Sequence, residues 1–346
     1  MNIQTVKFKD ISFINVGKPA DLEIKYLKSN FGFNPLHIDD YIHKTQVPKV
    51  EIDKNYNLIV LDFPYFNLNG ANNPMKVPDK NGKNYLGSIL TIPETLSSAA
   101  LSQLIPPEEK KQRLLSSQVD FFIGKDYLVV LHDGSFSSID IIFSLCQKTL
   151  HNREEFLGKG PVFLAYRIID ALVDSCFPII NGVMATIDKI DKELEHTTTP
   201  DTIEDISVTR RNIVVFHTMI KPIIPLFKQI EEGKYQDLNG TMQPFWGNVL
   251  DHLHKIWNRL EDAKELIEGI SDSNESLLSY RNNEIVKFLT VITSIAFPFV
   301  IVNNLYSMNV VGLPYATDKN IVFILFSIIF ASGIVILAYF RYRKWI

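Results

Sequence analysis

Two adjacent carboxamides, Asn303 and Asn304, sit inside a stretch without any Asp, Glu, Lys or Arg (residues 288–317), and Tyr306, Ser307, Met308 and Asn309 follow at once. Lipid offers no hydrogen bonds, so amides at membrane depth must face protein or water. Two chemistries are open to them. They can bond across to neighbouring helices and hold them together, or they can line a wet path. A second pairing is Asp251 with His254, three residues apart on one helix face, with donor types that suit a transition metal; the same spacing describes an ordinary solvated pair. Cys146 and Cys176 lie among apolar residues without CxxC spacing. They are expected to be free thiols of a reducing compartment, with no chemistry of their own.

The elements that must place these groups are membrane spans. Segment 321–340 is twenty residues long and uncharged, the length a bilayer core of about 30 Å requires of a helix. Two spans are expected, at about 285–305 and 321–340, joined by a loop at 306–320. Arg341, Arg343 and Lys344 follow the second span, Arg281 and Lys287 flank the first, and the loop carries Lys319 beside Asp318. The basic ends therefore belong on the cytoplasmic side, with both termini inside and the loop outside, in a multi-pass protein of the cell membrane. The opening MNIQTVKFKD lacks an apolar core, so no signal peptide is expected.

Residues 1–284 then form the cytoplasmic part. Residues 285–346 hold five basic residues and one acidic one, which leaves 30 basic against 38 acidic, net −8, for the rest. Such a balance argues against a nucleic-acid or lipid-surface binder; it suits gathering cations, or plain solubility. Residues 1–150 read as mixed α/β. Strands are expected at Leu58–Phe63, Ser88–Ile92, Val119–Ile123 and Tyr127–Leu131, the last two flanking a turn at Gly124-Lys125-Asp126. Residues 67–84 read as a polar Gly/Pro/Asn loop. From 151 to 284 the texture is helical, with apolar residues at helical spacing through 161–196 and 202–232, separated at Pro200-Asp201. After Pro244 the next proline is Pro298. A helix from about 244 to 305 would be roughly 90 Å long and would need lateral partners, which implies oligomerisation.

The stretch Asn283-Glu284-Ile285-Val286-Lys287-Phe288-Leu289-Thr290, then Phe297-Pro298, then Tyr306-Ser307-Met308-Asn309, resembles the CorA family of divalent-cation channels, whose first span opens NEVMKxLT and closes on Tyr-Gly-Met-Asn. Upstream blocks resemble it in the same order. They are Asn34-Pro35-Leu36-His37-Ile38-Asp39-Asp40 with Pro48-Lys49-Val50-Glu51, Asp170-Ala171-Leu172-Val173-Asp174, Arg210-Arg211-Asn212, and Leu250-Asp251-His252. The tail Arg341-Tyr342-Arg343-Lys344-Trp345-Ile346 completes the series.

The resemblance implies a funnel-shaped homopentamer: an α/β cytoplasmic domain, a long stalk helix and two transmembrane helices, the first lining a central pore. Family pore positions fall on Asn283, Val286, Leu289, Thr293, Phe297, Val300 and Asn304, with Asp272 at the place of an inner acidic ring. Their 3/4 spacing makes one helical stripe, which ordinary packing also produces. Leu289 and Phe297 would constrict the path and gate it by dewetting. Asn309, with Met308, Ser307 and Tyr306, would form the selectivity filter. Mg2+ dehydrates reluctantly, so neutral amides that bond to its waters suit a mouth through which it must also leave. Mg2+ is the expected cargo, with Co2+ or Ni2+ as surrogates, and it can also regulate through cytoplasmic acids; Asp251 is the candidate there.

Three features depart from the family pattern. Ser307 stands in place of the signature glycine, Leu313-Pro314-Tyr315-Ala316 lacks the loop glutamate, and Asn248 replaces an acidic sensor position. A Zn2+ transporter of the same fold and a non-conducting membrane scaffold or sensor are the alternatives. Zn2+ usually takes N or S ligands, and the stripe has no His or Cys. No organic cofactor is expected. Nor is an enzyme: Gly158-Lys159-Gly160 is too short for a phosphate loop, and no Ser-His-Asp order or paired-carboxylate cleft stands out.

Overall fold

The computed structural model describes residues 2–43, 47–66, 113–196, 199–308, 319–343 and 345. The expected strand Ser88–Ile92 and the expected loop 67–84 lie outside them. The chain divides into two compact units, Met1–Ile270 and Ser271–Ile346.

The first unit is built on a six-stranded sheet of order β1-β2-β6-β5-β4-β3, comprising β1 (Ile3–Phe8), β2 (Ile11–Gly17), β3 (Lys49–Ile52), β4 (Tyr56–Phe66), β5 (Leu114–Gly124) and β6 (Tyr127–His132). Every pairing is antiparallel except β2 with β6. The central strands are buried on both faces, which is why they read as near-continuous apolar runs. One face packs beneath α1 (Asp21–Phe31) and α2 (Pro35–His43), through Leu27, Ile38 and Tyr41 among others. The other face, with Phe13, Phe121 and Val130, joins a core shared with α3 (Ser137–Lys148), α4 (Leu150–Leu157) and α5 (Pro161–Asp174). The expected turn appears: Ile123 pairs with Leu128 across the tip at Lys125 and Asp126.

The expected helical run 161–196 is two helices, α5 and α6 (Cys176–His196), parted at Ser175, whose hydroxyl donates to the Leu172 carbonyl at 2.6 Å. Then comes α7 (Pro200–Glu231). Thr199 Oγ1 accepts from the Thr202 amide at 3.2 Å and Pro200 occupies the first turn, the pattern of a capped start. After the short α8 (Gln236–Asn239) begins α9 (Gln243–Ser307), which Pro298 does not interrupt. Its early turns bury Trp246, Val249, Leu253, Ile256, Leu260, Ala263 and Ile267, one stripe at 3/4 spacing. Trp246 Nε1 donates to the Leu238 carbonyl at 2.8 Å, and Arg259 reaches Asn181 at 2.7 Å.

The second unit consists of the remainder of α9 and α10 (Lys319–Tyr342). Among the described residues, four helical stretches have the length and apolar character to cross a membrane. Two of the stretches, Pro161–Leu194 and Pro200–Glu231, are half-buried in the first unit's core; the other two, ending at Ser307 and Tyr342, are only 6% buried over their most apolar windows. Apolar helices left this bare require a lipid or protein surround.

Candidate functional site

The stripe inferred from the sequence lies on the part of α9 within the second unit. Asn283, Val286, Leu289, Thr293, Phe297, Val300 and Asn304 are all exposed, Leu289 at 59% and Phe297 at 64%. The opposite side of the same helix is the covered one. Val291 is 4% exposed, and Ile295 and Phe299 are half-buried. α10 lies against that side at Gly333, where a Cβ would sit in ordinary van der Waals contact with Ile295 Cγ2 at 3.6 Å and Phe299 Cε2 at 3.8 Å. The two helices thus consume one face of α9 and leave the polar-ended stripe uncovered. Asp272 is also exposed.

The stripe's hydroxyl is already committed as a donor. Thr293 Oγ1 donates to the Leu289 carbonyl at 2.9 Å, so toward the stripe it offers only lone pairs. Ser307, where the sequence departs from the family pattern, remains helical and donates to the Asn303 carbonyl at 2.7 Å. Its side chain is therefore turned back along the helix. Tyr306 is half-buried and Met308 exposed; Asn309 lies outside the described residues.

A separate constellation forms in the first unit. Asp170 and Asp174, one turn apart on α5, meet His252 on α9, with ligand atoms all within 4.8 Å of one another. His252 Nδ1 lies 3.0 Å from Asp174 Oδ1 and 4.0 Å from Asp170 Oδ1. Asn248, one turn earlier on α9, donates to Asp170 Oδ1 at 3.2 Å, and the Tyr166 hydroxyl lies 3.5 Å from Oδ2. Burial, and then the charge of Asp174, push the Asp170 carboxyl above the usual range. The nearby Asp174 carboxylate holds the His252 imidazole above its ordinary value, against burial. Two carboxylates and an imidazole are a donor set for a borderline cation such as Co2+ or Zn2+ more than for Mg2+, which prefers oxygen alone.

Sequence reasoning chose Asp251 for this role. Asp251 and His254 are exposed, and neither belongs to the cluster. The signal that could have found the cluster was present: Asp170 and Asp174 at i,i+4 spacing, and His252 four residues after Asn248. What sequence alone does not show is that α5 and α9 bring those faces together. The buried thiols Cys146 and Cys176 are free, and burial pushes both up, Cys146 to about 12.

A family described as CorA-like Mg2+ transporter protein matches residues 99–344. The cobalt/magnesium transport protein CorA of Thermotoga maritima is 24% identical over 321 residues, covering 91% of this chain and 78% of its own. A putative metal ion transporter, YfjQ, of Bacillus subtilis is 23% identical over 345 residues, covering 99% and 93%. Among solved structures, the complete CorA magnesium transporter of Methanocaldococcus jannaschii aligns over 99% of this chain and 94% of its own, with a TM-score of 0.71 and 18% identity. That likeness extends to the α/β domain, the long helix and the C-terminal helix. The matched span exceeds half the sequence, and the chain belongs to the CorA family of divalent-cation transporters, a class of membrane transporters and not of enzymes.

Proposed function

We propose that the protein admits Mg2+ to the cytoplasm through a homopentameric pore lined by the stripe Asn283, Val286, Leu289, Thr293, Phe297, Val300 and Asn304, with Asp272 near its inner end. The observation that supports this reading is that α10 lies against the Val291, Ile295 and Phe299 side of α9, which leaves the opposite stripe, amide at its ends and apolar in its middle, exposed together with Ile285, Phe288, Ile292 and Ile301 and so open to neighbouring copies. Five such faces around an axis enclose a path with amide rings at Asn304 and Asn283 and tight apolar rings at Leu289 and Phe297. A hydrated divalent ion bonds to amides through its own waters and so passes without being stripped. The apolar rings close the path by expelling water. Asn309 and its neighbours Tyr306, Ser307 and Met308 stand at the outer mouth as the filter.

Flow needs no nucleotide. With the basic ends inside, two positive charges moving inward across 100 mV release about 4.6 kcal/mol. Residues 1–150 and 151–284 form the cytoplasmic domain and stalk, and 285–346 the membrane domain. The regulatory ion is held at Asp170, Asp174 and His252 in preference to Asp251, and that donor set makes Co2+ or Zn2+ a stronger effector than Mg2+. Uptake into proteoliposomes with Mg2+, Co2+ and Zn2+ offered separately tests the reading. Mg2+ entry that Asn309→Ala abolishes is expected. No flux of any ion from intact oligomers would leave a non-conducting scaffold, and Zn2+ entry alone would leave the Zn2+ alternative.

A further inference from the structure

Asp120 lies at the centre of the sheet, on β5, with no exposed surface. Its register partners, Val60 on β4 and Leu131 on β6, belong to the apolar cluster that also holds Ile38 and Tyr41 of α2. One carboxylate oxygen, Oδ1, accepts from Gln118 Nε2 at 2.8 Å; Oδ2 has no hydrogen-bond partner among the described residues. A buried, half-satisfied carboxylate is costly when charged and much less so when protonated.

The groups around it do not neutralise that charge. Asp62 on β4 and Asp40 on α2 add negative charge; Lys49 on β3 is the cation facing it. The Lys49 ammonium is already held by Glu51 at 2.6 Å and Asp40 at 3.1 Å. Tyr41 of α2 faces both Asp120 and Asp133, and burial followed by those two charges pushes its phenol up, so it stays a neutral phenol. Burial likewise pushes the Asp120 carboxyl up to about 7. Among the described side chains of α2, His37 is also buried and is engaged elsewhere: Nδ1 is 2.7 Å from the Tyr56 hydroxyl and Nε2 is 2.7 Å from Glu51.

We propose that Asp120 makes the seating of α2 on the sheet depend on cytoplasmic pH, holding the helix down when protonated and loosening it when ionised. Seated α2 fixes two acids in ion pairs, Asp39 with Lys28 at 3.0 Å and Asp40 with Lys49 at 3.1 Å, so its release frees both carboxylates together. The sign follows from linkage. A carboxyl that binds its proton more tightly when seated favours seating most below its free value, and loses that advantage as pH rises through the seated value. With a free value of 3.8 and a seated value of about 7, the opening equilibrium of α2 rises about tenfold between pH 6 and pH 8 and levels off above.

The experiment is amide hydrogen exchange on the full-length protein in lipid nanodiscs, following peptides that cover residues 35–41, corrected for the intrinsic pH dependence of exchange. The wild type should lose about tenfold in protection between pH 6 and pH 8, and the exposed-turn control Asp126→Asn should behave the same. Asp120→Asn should show a flat profile; Asp120→Leu, which also cannot ionise, replaces it should the amide fail to fold. A flat wild-type profile, or a tenfold loss that persists in the Asp120 variants, overturns the proposal.

Discussion

Removing the His252 imidazole provides a quantitative test of the Asp170, Asp174 and His252 cluster. The site offers three ligand groups within 4.8 Å, one of them the His252 ring. At a Co2+ concentration 100-fold above the dissociation constant, binding to the folded state alone adds about 2.7 kcal/mol. For a unit as large as Met1–Ile270, each kcal/mol moves the transition by roughly 2–4 °C, giving a shift of about 5–10 °C. His252→Ala removes the one nitrogen donor. If affinity falls by the ~100-fold that even outer-shell losses reach, the same Co2+ leaves about 0.4 kcal/mol, a shift of about 1–2 °C. Asp251→Asn, at an exposed position outside the cluster, should keep the full shift. The assay is thermal unfolding of detergent-solubilised protein with and without Co2+, the metal-free transitions of all three proteins being compared first. Equal shifts in the wild type and His252→Ala would refute the assignment, and a shift lost only in Asp251→Asn would return the site to Asp251.

Two further outcomes follow from the same geometry. His252 must shed its proton to bind metal, and Asp174 holds its pKa above 6.5. Without metal, the stabilising charge pair is fully present below pH 6.5 and fades as pH rises through the raised value, whereas the Co2+-induced shift should grow from pH 6 to pH 8; thermal unfolding at both pH values checks this. Phe297→Ser should widen and wet an apolar constriction, raising Mg2+ uptake several-fold at fixed voltage in a proteoliposome flux assay.

The parts legible in sequence were those with a strong local pattern. Leu58–Phe63, Val119–Ile123 and Tyr127–Leu131 were readable because strands buried on both faces are apolar throughout, whereas β1 and β3 lie at the sheet edges. Gln4, Thr5 and Lys7 interrupt any apolar run in one, and the other is only the four residues Lys49-Val50-Glu51-Ile52, whose alternation is too short to stand out. The break at Ser175 was missed because apolar residues keep their helical spacing across it, although Pro178 in the first turn of α6 marked it. The proposed pore stripe came from the family resemblance position by position; because α9 is a single helix, one register keeps those positions on one side of it. The cluster of Asp170, Asp174 and His252 could not be placed in this way, because it depends on how two helices pack. Asp120 shows the same limit in a strand: the sequence places an acid inside an apolar run, and only the fold shows that it sits on the face of the buried cluster, with Oδ2 unpartnered among the described residues.

Cysteine accessibility along α9 tests the central claim most directly. The two native thiols are buried, so background labelling is low. Val286, Leu289, Thr293, Phe297, Val300 and Asn304, changed one at a time to Cys, should react with a charged, water-soluble methanethiosulfonate and lose ion flux. Cysteines at Val291, Ile295 and Phe299, on the face toward α10, should stay unlabelled with flux unchanged. Labelling on the Val291 face with the stripe silent would contradict the account, because the water would then run along the side of the helix that the second span covers.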